Sequence, residues 1–129
     1  MNLWLLSAGL LTVLIGAVHS ILGETRIFRH MRKGGWVPTQ GAPLLREFQV
    51  RILWGSWHLV TIFGWGLAAL LIRMAQPDRP AALQADLAGI SAAAMVVAAL
   101  LVAGATRGKH PAWMALLLAA GLAAAGMGQ

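Results

Sequence analysis

LWLLSAGLLTVLIGAVHSIL, residues 3–22, runs through one bilayer thickness without a charged side chain. A helix that crosses the hydrocarbon core needs roughly 20 such residues. Three further apolar runs follow, at about 48–72, 82–105 and 112–127, the last the shortest and almost purely apolar. Together they predict an all-α integral membrane protein, a single domain over 1–129 folded as an antiparallel up-down four-helix transmembrane bundle of two helical hairpins. The first run has no basic residues before it and only a weak small-residue site at Val18-His19-Ser20, so it reads as a retained helix and not a signal peptide.

Composition agrees. Of 129 residues, 59% are hydrophobic and 11% charged, and the mean hydropathy is +0.73. One soluble core of this size cannot hide that much apolar surface, whereas a lipid bilayer receives it. Cysteine is absent, which excludes disulfides, iron–sulfur clusters, thiolate metal sites and cysteine nucleophiles. The net charge of +6 sits mostly in one loop between apolar runs, so it reads as membrane topology and no nucleic-acid partner is expected.

The breaks carry turn chemistry. Gly34-Gly35-Trp36-Val37-Pro38 and Gly41-Ala42-Pro43 make the first loop, 23–47, irregular. Asp78 with Pro80 reads as a cap and first-turn proline for the third helix, and His110-Pro111 does the same for the fourth. Loop one holds Arg26, Arg29, Arg32, Lys33 and Arg46, and loop three holds Arg107 and Lys109 without an acid. The positive-inside rule places both loops in the cytoplasm and both termini outside; the expected location is the bacterial cytoplasmic (inner) membrane. Helices three and four carry small residues four apart: Gly89, Ala93 and Val97, then Ala120, Ala124 and Gly128. Such faces serve either a homo-oligomer or membrane-complex interface, or packing inside one bundle.

Nearly all intramembrane polar residues lie in the first half of the chain. At 100° per residue, Glu47, Arg51, Trp54, His58, Thr61 and Trp65 gather along one stripe of the second helix. Thr12, His19, Gly23 and Arg26 form a comparable stripe on the first, with Gly16 at its edge. His19 precedes Arg26 by seven residues and His58 follows Arg51 by seven, which is about 10 Å along a helix. In two antiparallel helices leaving the same loop, the histidines fall at similar depth beneath interfacial arginines.

Two histidines opposed in a membrane suit b-type haem, or a quinone-like redox group. Each imidazole would ligate the haem iron, Arg26 and Arg51 would meet the propionates, Gly16 and Gly23 would admit the macrocycle and Trp54 and Trp65 would wall it. In arrangement this is similar to the bis-histidine membrane cytochromes, by analogy only. The alternatives are a small proton or ion transporter or channel working through the same stripe, and an accessory subunit of a larger membrane complex. A purely structural role remains beside them, with each histidine bonded to Thr12, Thr61 or a backbone carbonyl.

Other chemistry has less support. The acids Glu24, Glu47, Asp78 and Asp86 all lie near helix ends. Glu24 points about 140° away from His19 on its own helix, and a zinc or di-iron centre needs at least three clustered ligands. Glu47 and Arg51 are expected to pair as a helix support. His30 is expected at the headgroups and His110 in solvent. No phosphate-binding glycine loop, nucleophile elbow or His-Glu-x-x-His motif is present.

Overall fold

The computed structural model describes residues 1–41, 43–77 and 80–126, without the side chains of 80 and 81. It is an all-α four-helix bundle: α1 (Leu3–Arg26), α2 (Glu47–Met74), α3 (Pro80–Thr106) and α4 (Ala112–Ala125), with a 3₁₀ turn at Phe28–Met31. The Asp78 cap, Ala42, Arg79, Met127 and Gly128 lie outside the described residues. Three helices are long and apolar enough to cross a bilayer, and α4 is apolar but shorter. Its 14 residues cover about 21 Å. The chain is a membrane protein whose outer surface meets lipid.

Residue size is sorted in the sense that lipid rewards. Among the described residues, the buried apolar side chains within the four helices and their caps are, apart from Val50, all alanines: Ala68, Ala75, Ala92, Ala98, Ala99, Ala105 and Ala120. Leucines, isoleucines and valines such as Leu10, Leu14, Ile15, Val60, Leu100 and Leu118 point outward. Small side chains let helix backbones approach, while large aliphatic ones lose nothing by facing acyl chains. Packing runs in series, α1 on α2, α2 on α3 and α3 on α4. Ala93 and Val97 lie on an exposed face of α3, whereas Ala120 is buried.

The ends are fastened individually. Asn2 caps α1 by accepting from the amides of Trp4 and Leu5 at 3.1 and 3.2 Å, and its own amide donates to the Ala75 carbonyl at 2.7 Å. That bond ties the start of α1 to the end of α2, so the two are antiparallel. Helix α1 continues to Arg26, beyond the expected end at Leu22, because Glu24 finds partners there. Loop one then folds back: the amides of Thr39 and Gln40 both donate to the Met31 carbonyl, and Pro38 is fully buried.

The seam between α1 and α2 fixes their register. Gly9, Gly16 and Gly23 are buried at seven-residue intervals. Each forms a notch that a residue of α2 fills. A Cβ on Gly9 would lie 2.6 Å from Ile72 Cγ1 and one on Gly16 would lie 2.7 Å from Trp65 Nε1, while one on Gly23 would overlap the indole of Trp57. A seven-residue repeat keeps such a seam facing its partner helix.

Candidate functional site

His19 and Trp57 lock the two helices reciprocally. The His19 Nε2–H donates to the Trp57 carbonyl at 3.3 Å, and the Trp57 indole N–H donates to the His19 carbonyl at 3.1 Å. Their rings stack at 4.4 Å with 7° between planes. Trp65 likewise donates to the Val13 carbonyl at 3.1 Å, above the notch at Gly16.

One residue along each helix, the chemistry changes. Ser20 Oγ lies 2.8 Å from His58 Nδ1 and 2.8 Å from Thr61 Oγ1, and Thr61 donates to the Gly16 carbonyl at 3.2 Å. A carbonyl only accepts, so the direction of this chain is set from its far end. Thr61 gives its proton to Gly16 and must accept from Ser20. Ser20 must then accept from Nδ1–H of His58. Neutral His58 therefore presents a bare Nε2 on its other side.

That Nε2 faces Glu24, 3.7 Å from Oε2. Trp54 donates to the same Oε2 at 3.2 Å and stands edge-on to the His58 ring at 4.8 Å. Arg32 Nη2 approaches Glu24 Oε1 at 2.5 Å, a charge contact out of line for a hydrogen bond. Phe28 is buried beneath, 6.2 Å from the His58 ring. Among the described residues the buried side-chain nitrogen and oxygen atoms without a hydrogen-bond partner are Glu24 Oε1, Arg32 Nε and His58 Nε2. All three belong to this one cluster.

The residues singled out from the sequence thus separate. His19, His58, Gly16, Gly23, Trp54 and Trp65 all lie along the α1–α2 seam, with the two histidines on adjacent levels. Arg26 is exposed at the end of α1, and Thr12 turns back to the Ala8 carbonyl of its own helix. Arg51 reaches the other way. It is 7% exposed, donates through Nε to the Ala105 carbonyl at 2.6 Å and through Nη2 to Gly104 at 3.4 Å, and lies 3.6 Å from Glu47. The physical reason is register: α1 ends before the level of Arg51, and the last turn of α3 offers it backbone carbonyls instead.

Sequence reasoning missed Ser20, Glu24, Arg32 and Trp57. The seven-residue glycine spacing was the signal for Trp57, since notches in one helix require knobs in the other. Glu24 stands about 140° from His19 on α1, but Trp54 and His58, which it meets, are on α2. Arg32 arrives only because loop one folds back. His110, expected in solvent, is half-buried and accepts from the Ala112 amide at 3.3 Å. Among the described residues, no three His, Asp or Glu side chains come close enough to share a metal ion. No protein family, curated protein or solved structure matches the chain.

Proposed function

We propose that the protein handles protons in the membrane, as a small transporter or channel, with Glu24 and His58 as the proton-binding pair and Arg32 as its charge partner. The observation that carries this reading is the convergence of His58 Nε2 and Arg32 Nε, both buried without a hydrogen bond, on the Glu24 carboxylate, whose own Oε1 meets Arg32 only as a charge contact. A buried polar atom left unbonded costs about 1–3 kcal/mol, so such clusters mark working sites. A proton between Glu24 Oε2 and His58 Nε2 completes the pair: the carboxylate accepts, the imidazolium donates, and Nδ1 keeps its bond to Ser20. The Ser20–Thr61–Gly16 chain holds the ring in the tautomer that leaves Nε2 free to take the proton.

Ser20, His58 and Glu24 also stand in the order of a nucleophile, a base and its orienting acid. Ser20 lies inside α1, where backbone amides are committed to the helix and cannot serve as an oxyanion hole, so proton exchange is favoured over acyl transfer. A haem or quinone between His19 and His58 would require Trp57 to leave Gly23 and the helices to part. It ranks below proton handling for that reason.

In the orientation that the positive-inside rule favours, loops one and three face the cytoplasm of a bacterial inner membrane and the pair is reached from that side. A cytoplasmic signal from a reporter fused at Gln129 would reject that orientation. Any oligomer is proposed to use the exposed Ala93 and Val97 face.

The test is proton flux into liposomes under an imposed pH gradient, read with an entrapped dye. Wild type should exceed empty liposomes. Glu24→Gln and His58→Gln should each lower the rate on the order of tenfold or more, the scale on which removal of a positioned proton carrier acts. His19→Gln, which can still donate to the Trp57 carbonyl, should retain most of it. Equal flux in wild type and both site variants would sink the reading. A Soret band lost in His58→Gln would move the assignment to haem.

A further inference from the structure

Where loop three meets α2, a second constellation stands apart from the histidines. Helix α3 ends in a Schellman turn, the Gly108 amide donating to the Ala103 carbonyl at 2.8 Å. Arg107 occupies the left-handed position of that turn, with φ 53°, where glycine is the usual occupant. A non-glycine residue there is strained, and such strain gathers at functional positions. It places the guanidinium 3.4 Å from Glu47 Oε1, alongside Arg51. These residues, with Phe48, Thr106 and Lys109, line a cavity of about 160 Å³. Three cations thus face one carboxylate.

An apolar groove adjoins this polar mouth. It measures about 110 Å³, shares Thr106 with the mouth and descends between α2, α3 and α4 along Ile52, Leu59, Val102 and Ala112. A basic mouth above an apolar groove matches a molecule with an anionic head and an acyl tail.

We propose that the Arg51–Arg107–Lys109 mouth and the groove below it form a binding site for an anionic phospholipid, the phosphodiester between the cations and one acyl chain in the groove. The excess positive charge selects against zwitterionic headgroups, since basic residues near a membrane surface attract anionic lipid. The adjoining groove, which shares Thr106 with the mouth, favours a lipid over free phosphate. This inference is independent of the proton site.

Native mass spectrometry of the full chain, released from nanodiscs of mixed phosphatidylglycerol and phosphatidylcholine, counts the lipid retained. Arg51 ties α2 to α3, so the test variant is Arg107→Gly with Lys109→Gln, which relieves the strained turn and should fold at least as well as wild type. Its phosphatidylglycerol affinity should fall about thirtyfold, the equivalent of about 2 kcal/mol for two charges. Arg29→Gln with Lys33→Gln, which removes two charges from loop one, should change it little. Ala112→Trp, which fills the groove and leaves the charge intact, should also lower retention. Equal losses from both charge pairs would reduce the effect to general surface charge and overturn the proposal. So would equal retention of phosphatidylcholine, or displacement of the lipid by glycerol phosphate alone, which would make the mouth a soluble-phosphate site.

Discussion

The α1–α2 seam and the α3–α4 hairpin are both made of helices packed in lipid, yet they are held together by different physics. Along the first, aromatic side chains sit in glycine notches, and Trp57, Thr61 and Trp65 each donate to a carbonyl of α1. Along the second, the buried side chains are mostly alanines, Ala98, Ala99 and Ala105 on α3 and Ala120 on α4, and among the described residues no side-chain hydrogen bond joins α3 to α4. Ser91 and Thr106 turn back to carbonyls of their own helix. Van der Waals contact between small residues brings helices close but discriminates weakly between registers. Directional bonds from large residues into fitted notches fix one register, and a fixed register lets Ser20, His58 and Glu24 meet across two helices. The buried polar cluster lies where the packing is directional.

Three pairs of substitutions test how much directional bonds and fitted notches add to helix packing. The largest effect is expected from Gly23→Leu, which drives a side chain into the Trp57 indole and should destabilise the protein by about 3 kcal/mol or more, the upper range for overpacking. Gly121→Leu in α4, where an added Cβ meets nothing within 4 Å, should be close to neutral. Thermal unfolding in detergent compares the two, and similar melting temperatures would erase the contrast between the regions. Next is Arg51→Ala, which leaves the Ala105 carbonyl without its buried donor and should cost about 2 kcal/mol. Arg73→Ala removes an ion pair with Asp86, whose side chain is 43% exposed, and should cost about 1 kcal/mol or less. Denaturant midpoints for both variants check the order, and equal shifts would mean that the buried bonds of Arg51 add nothing beyond a half-exposed ion pair. The smallest is Ser20→Ala, which takes the acceptor from His58 Nδ1 and should cost about 1 kcal/mol. Ser91→Ala removes only a bond to its own helix, to Leu87, and should be near zero. Nitrogen-15 NMR of the His58 ring provides the finer check: Ser20→Ala should redistribute its tautomers, and an unchanged tautomer would break the directional chain assigned here.

Features that depend on counting along one chain are legible in the amino-acid order alone. The length of apolar runs fixed the helices, because an unpaired backbone group in hydrocarbon is too costly for anything else. Arginine placement marked the loops, and the seven-residue offsets brought His19 and His58 to adjacent levels because rise per residue is constant in a helix. Which partner each polar residue takes was decided only by the tertiary structure. Arg51 shares a stripe with His58 but bonds to α3, because α1 has ended at its level. Glu24 looks misplaced on α1 and is well placed against α2. Arg32 enters only through the fold-back of loop one. A helical angle describes one helix alone; a contact between two depends also on where each helix stops, how it crosses its neighbour and how far a long side chain reaches. Those quantities exist only once the helices are packed.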